Sequence, residues 1–225
     1  MKNYLIVNKD NFFKGKLKNT KKRRFYYITK KKDFTINKIK NIDPSIIFFP
    51  HWSWIINNKI LNKYLCIGFH STPLPYGRGG SPIHNMILRG FKKTSICAFK
   101  IEKKLDSGPV YMRVKLGLKG DGSQIFKNMY KKIIFMIKQL STKLPKPKSQ
   151  KGKVTYFKRL LEKNGQIKSN YSVKKIYNII RSLDMKNKNY IPAHIKFGNI
   201  KLYFTKAKYK NRKITANITL KKTSY

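Results

Sequence analysis

Five short apolar runs recur through the first hundred residues: Tyr4–Val7, Phe25–Thr29, Ser45–Phe49, Tyr64–Phe69 and Thr94–Ile101. Each is rich in β-branched or aromatic side chains and none alternates with polar residues. Runs of this kind suit strands buried on both faces of a parallel sheet. The segments between them carry helical spacing, at about Thr35–Ile42, Ile55–Asn62 and Ser81–Arg89. A longer helix is predicted over Ser123–Leu140, where Ile125, Met129, Ile133, Ile137 and Leu140 share one face behind a capping segment at Asp121–Ser123. Strands alternating with helices predict an α/β, Rossmann-like, mostly parallel sheet.

The pattern changes after residue 142. Pro145, Pro147 and Gly152 stand among polar residues, so 143–152 reads as a linker between a domain at 1–142 and a smaller one at 153–225. The second part holds one amphipathic helix, Val173–Leu183. Three alternating segments follow at His194–Phe197, Ile200–Thr205 and Ile214–Leu220, with Gly198-Asn199 as a tight turn. A small β-rich subdomain is expected there.

Composition narrows the classes. A hydrophobic content of 40% is globular, and no apolar run reaches the ~18 residues a membrane span needs. The short apolar stretch Tyr4–Val7 is a first strand and not a signal peptide, which points to the cytoplasm. Cys66 and Cys97 match no metal-ligand spacing and read as buried thiols. The net charge of +45 predicts nonspecific polyanion binding. It does not predict a function, because lysines outnumber arginines 45 to 8 and spread along the whole chain.

Chemistry concentrates between residues 49 and 111. The run Tyr64–Phe69 ends in His70, which places an imidazole at the carboxyl edge of the sheet, where open α/β sheets bind ligands. A loop dense in Gly and Pro follows, through Gly77, Arg78, Gly79 and Gly80, before Pro82 opens a helix. After the next strand comes Leu105-Asp106-Ser107-Gly108-Pro109, which supplies a carboxylate on a neighbouring element. A His oriented by a carboxylate handles protons near neutral pH. Read alone, His70 is as often a structural histidine, and a stretch such as Asp106-Ser107-Gly108-Pro109 is usually just a turn.

Together these residues resemble the folate-dependent formyltransferase family. The matching residues are His70, Leu74-Pro75, Arg78-Gly79, Pro82, Asp106 and Gly108-Pro109; Phe49–Ile56 and Lys174–Asp184 extend the likeness. The resemblance implies transfer of a formyl group from 10-formyltetrahydrofolate to an amine, with His70 and Asp106 catalytic. It implies a folate site formed by the Gly77–Gly80 loop and by Trp54, Ile55 and Ile56. One residue departs from the family pattern: Gly68 stands where the family has an Asn that donates to the developing oxyanion. Loss of such a donor costs ~10²–10³-fold in rate. Asn85, on the helix after the loop, is the candidate substitute; an exposed helix residue is its plainer reading. The short tail after Gly152 favours an amino-sugar nucleotide as acceptor over methionyl-tRNA. A catalytically degenerate or RNA-binding protein on the same scaffold is the reading from another class.

Overall fold

The computed structural model describes residues 1–9, 11–52, 55–185 and 190–222. The residues group into two compact units that interleave along the chain. The first takes Met1–Arg78, Ser95–Leu116 and Asn128–Tyr156; the second takes Gly79–Thr94, Gly117–Lys127 and Phe157–Tyr225. In chain order the main elements are β1 (Lys2–Asn8), β2 (Arg23–Ile28), α1 (Ile36–Ile42), β3 (Ile46–His51), α2 (Asn58–Lys63), β4 (Cys66–His70), β5 (Arg78–Gly79) and α3 (Pro82–Leu88). There follow β6 (Lys93–Lys100), β7 (Val110–Gly117), α4 (Gly122–Thr142), β8 (Tyr156–Phe157), α5 (Val173–Leu183), β9 (Ala193–Phe197), β10 (Ile200–Lys210) and β11 (Lys213–Lys222).

The first unit is built on a six-stranded sheet in the order β2-β1-β3-β4-β6-β7. β1 pairs in parallel with β2 and β3, and β3 with β4, while β6 runs antiparallel to β4. Leu5, Ile6 and Val7 are all at most 1% exposed. Successive strand residues point to opposite faces, so both faces of the sheet are covered here. One face packs Leu5, Val7, Ile28, Ile47 and Phe49 against Ile39 of α1 and Ile60 of α2. α1 starts where the Thr35 hydroxyl accepts from the Lys38 amide, and it stops at Asp43, whose φ of 45° breaks the helical path. Strand β7 was outside the expectation. Its sequence alternates, with Val110 and Leu116 buried but Arg113 and Lys115 exposed, so it lacks the continuous apolar run that marks β1, β3 and β4 of the same sheet.

The second unit holds α3, α5 and a three-stranded antiparallel sheet in the order β11-β10-β9. Ile179, Ile180 and Leu183 of α5 bury against Ala193, Leu88, Phe204 and Ile214. α5 opens with the Ser172 hydroxyl accepting from the Lys175 amide. Its Arg181 is buried, donating Nε–H to Asn178 Oδ1 and Nη1–H to the carbonyls of Leu118 and Gly120. Burial pushes the Arg181 guanidinium below its ordinary value. The expected turn at Gly198 joins β9 to β10, with a φ of 56° at the glycine. β10 runs five residues past the expected end at Thr205, because a bulge between Thr205 and Lys208 absorbs the irregularity. Lys206 takes a φ of 52° there, and its amide donates to Asp184 Oδ2.

Candidate active site

β4 delivers His70 to the carboxyl edge of the first unit's sheet with 6% of its surface exposed. Its Nε2 lies 2.8 Å from the carbonyl oxygen of Gly77, which also accepts from the Thr72 hydroxyl. A carbonyl only accepts, so Nε2 carries a proton. Nδ1 faces Asp106 Oδ2 at 3.5 Å, with the two side chains 7% and 15% exposed. The structure thus brings together the two residues that the sequence singles out. The imidazole stands between a carbonyl and a carboxylate, an arrangement that can orient it for proton transfer. Asp106 reaches His70 from a backbone with a φ of 48°, in the left-handed region that non-glycine residues enter uncommonly, aspartate more readily than most. Two residues on, a Cβ at Gly108 would stand 1.9 Å from the Lys100 carbonyl oxygen, so only glycine lets the loop approach β6 so closely.

Gly68 pairs with Phe99 across β4 and β6. A Cβ on Gly68 would lie 2.9 Å from Phe99 Cε1 and 3.1 Å from Ile101 Cγ1. The space that the family's Asn would take at this position is filled by an aromatic ring.

In the glycine loop, the first unit holds Gly77 and Arg78. The Gly77 amide donates to the Thr155 hydroxyl at 2.7 Å and the Arg78 amide to the Thr155 carbonyl at 2.9 Å. Arg78 is 6% exposed, and its Nε and Nη2 both donate to Gln150 Oε1, at 3.2 and 2.7 Å. Gln150 Nε2 in turn donates to the carbonyls of Asp106 and Gly108, each at 2.8 Å. Gln150 and Thr155 escaped the sequence reading: one polar residue among lysines and prolines carries no periodicity, and 143–152 reads as a linker.

Within the second unit, Gly79 has a φ of 100° and its Cβ would meet the Phe157 carbonyl oxygen at 2.6 Å; a Cβ on Gly80 would meet Arg159 Cα at 2.6 Å. The bare backbone of these glycines is used for contact with the chain at 157–159, and the Gly80 amide donates to the Phe157 carbonyl. Asn85 is buried on α3. Its Nδ2 lies 3.1, 3.2 and 3.0 Å from the carbonyl oxygens of Gly80, Ser81 and Lys158, while its Oδ1 accepts from Arg89 Nη1 at 2.7 Å.

Of the expected apolar wall, Trp54 lies outside the described residues. Ile55 is 101% exposed and open to a ligand, whereas Ile56 is buried with Phe49 and Ile60 in the core. Both cysteines are buried. Burial pushes the Cys66 thiol up to about 12. It raises that of Cys97 too, against the opposing pull of Arg113.

No helix among the described residues is long and apolar enough to cross a membrane. The family model described as the C-terminal domain of methionyl-tRNA formyltransferase matches residues 162–221. The methionyl-tRNA formyltransferase of Thermodesulfovibrio yellowstonii is 29% identical over 159 residues, 67% of this chain and 52% of that protein. The chain spans about half the length of the curated relatives it matches. HypX from Aquifex aeolicus in complex with tetrahydrofolic acid shares the fold, with a TM-score of 0.68 at 12% identity over 91% of this chain and 37% of its own. A solved methionyl-tRNA formyltransferase from Clostridium thermocellum is 38% identical with a TM-score of 0.91, covering 99% of this chain and 100% of that one. With likeness of that grade along its entire length, the chain belongs to the formyltransferase family, of which methionyl-tRNA formyltransferase is a member.

Proposed function

We propose that this protein moves the formyl group of 10-formyltetrahydrofolate onto the amino group of methionyl-tRNA. The observation that carries the chemistry is the buried His70–Asp106 pair at the sheet edge, with both ring nitrogens facing fixed partners. In this reading the neutral amine attacks the formyl carbon, the bond from that carbon to the folate nitrogen breaks, and the folate nitrogen gains a proton. Asp106 receives the proton that the amine loses, and His70 stabilises the tetrahedral intermediate and returns a proton to the leaving nitrogen. Ile55 supplies apolar surface for the folate ring, being the described member of the expected wall that is exposed. The carbonyls that surround the Asn85 amide favour it as a clamp on its own loop: an amide has two hydrogens, and three carbonyls already lie in reach.

The choice of acceptor follows the likeness: the Clostridium thermocellum protein named for methionyl-tRNA is 38% identical over 99% of this chain. That likeness favours methionyl-tRNA over the amino-sugar nucleotide expected from the sequence. The test supplies 10-formyltetrahydrofolate with methionyl-tRNA or with a panel of amino-sugar nucleotides near physiological salt. Formylation of methionyl-tRNA is expected, reduced at least ~10²-fold in His70→Ala and in Asp106→Asn. Turnover of an amino-sugar nucleotide alone would overturn the acceptor. Undiminished turnover in either variant would overturn the site.

A further inference from the structure

We infer that Gln150 is a positioning residue that sets Asp106 against His70, an inference that rests on the proposed formyl transfer at that site. A carboxamide offers two hydrogens and two acceptor lone pairs, and Gln150 uses all four. Its Nε2 donates to the carbonyls of Asp106 and Gly108, each at 2.8 Å, one on either side of Ser107. Its Oε1 accepts from Nη2 and Nε of the buried Arg78, at 2.7 and 3.2 Å.

The need for such a clamp follows from the backbone it grips. Asp106 sits at a φ of 48°, a left-handed conformation that aspartate enters more readily than most residues but that still costs free energy. Within the loop, the Ser107 hydroxyl donates to the Lys104 carbonyl at 2.8 Å and its amide reaches the same carbonyl at 3.4 Å, but neither holds the Asp106 or Gly108 carbonyls. The two donors of Gln150 fix the carbonyls before and after Ser107, and so fix the direction in which the Asp106 carboxylate leaves the chain.

Arg78 completes a circuit. It follows Gly77, whose carbonyl takes the Nε2 proton of His70, and Gln150 joins Arg78 to the loop whose carboxylate faces Nδ1. Both nitrogens of the imidazole are therefore aimed by groups that this one side chain links. No other natural side chain of that length does the same work. A glutamate accepts from Arg78 but would turn an oxygen on the Asp106 and Gly108 carbonyls, and a lysine would donate to those carbonyls but repel Arg78.

That asymmetry gives the test. Gln150→Glu keeps a partner for the Arg78 charge and replaces the donors to the Asp106 loop with a carboxylate oxygen, whereas Gln150→Met removes those donors without adding charge. Wild type, Gln150→Glu and Asp106→Asn are labelled with ¹⁵N-histidine, and the His70 Nδ1 resonance is assigned through His70→Asn. In Gln150→Glu that resonance is expected to move toward its Asp106→Asn position. In turnover, kcat should fall ~10-fold or more with the KM for 10-formyltetrahydrofolate changed less than about threefold, since misplaced catalytic groups cost rate more than binding. If Gln150→Glu does not fold, Gln150→Met, which fills the same volume without any hydrogen bond, is read in the same two ways. An unmoved Nδ1 resonance with unchanged kcat, or a loss confined to KM, would overturn the inference. The resonance decides even if no acceptor is formylated, so failure of the proposed function and failure of the clamp remain distinguishable.

Discussion

At position 68 a side chain has nowhere to go without moving Phe99. The ring lies 2.9 Å from where a Cβ would stand, is itself 5% exposed, and sits directly across the β4–β6 pairing. Overpacking a buried site by a few heavy atoms costs ~1–3 kcal/mol. Gly68→Asn, which restores the family's residue, is therefore expected to destabilise the protein by that amount in urea unfolding. Phe99→Leu in the same chain should recover part of the loss, because the two sites share one space and their effects do not add. No loss from Gly68→Asn alone would mean that the ring moves aside at little cost, and additive effects would mean that the ring is not what opposes the new side chain. The same residues show what was legible. His70 and Asp106 stood out because each ends a recognisable strand or loop and each belongs to a family motif. The filling of the gap beside Gly68 was not, since Phe99 reads only as another apolar residue in a strand until the register pairs it with the glycine.

On the scale of elements, the short helix α3 depends on a side chain near its middle. Ser81 precedes it with a φ of 47° and no side-chain cap on the helix amides, so the helix entry is held by Asn85. The Asn85 amide faces three carbonyls, and its oxygen holds Arg89. Removing one member of a buried polar set leaves the others unpaired, at ~1–3 kcal/mol. Asn85→Ala is expected to lower the unfolding free energy by about that much, with any change in turnover following from the loss of folded protein. A large fall in kcat at unchanged stability would instead make the amide a donor to the reacting carbonyl, as the sequence suggested. Elements were legible where their pattern was continuous: β1, β3 and β4 as unbroken apolar runs, and α4 and α5 from their spacing. β7 was not legible among continuous apolar runs, because Arg113 and Lys115 break its apolar sequence, and the far half of β10 was hidden by a bulge that interrupts the pattern without ending the strand.

For the whole molecule the governing quantity is charge. Fifty-three lysines and arginines face eight carboxylates, so even complete pairing would leave 45 cations unmatched. The carboxylates that do pair act locally. Glu162 meets Lys201 at 2.7 Å, and their hydrogen bond lowers the glutamate and raises the lysine from their ordinary values, yet the pair lies at the exposed surface, where such contacts contribute little. Folding gathers the remaining positive charges into a small volume, and their mutual repulsion opposes the compact state. Salt weakens that repulsion over distances beyond the Debye length, which shortens from about 30 Å at 0.01 M to about 8 Å at 0.15 M. The thermal midpoint is accordingly expected to rise with sodium chloride, by roughly 2–4 °C for each kcal/mol of repulsion removed. The shape of the curve distinguishes this cause from others. Screening should deliver most of the gain below ~0.2 M, where the Debye length shortens fastest. Strengthened apolar burial by excluded salts would instead keep growing into the molar range. A flat or falling midpoint in scanning calorimetry at low salt would mean that the spread of lysines already keeps the charges too far apart to repel. In that case the +45 would bear on binding to polyanions and not on the stability of the fold.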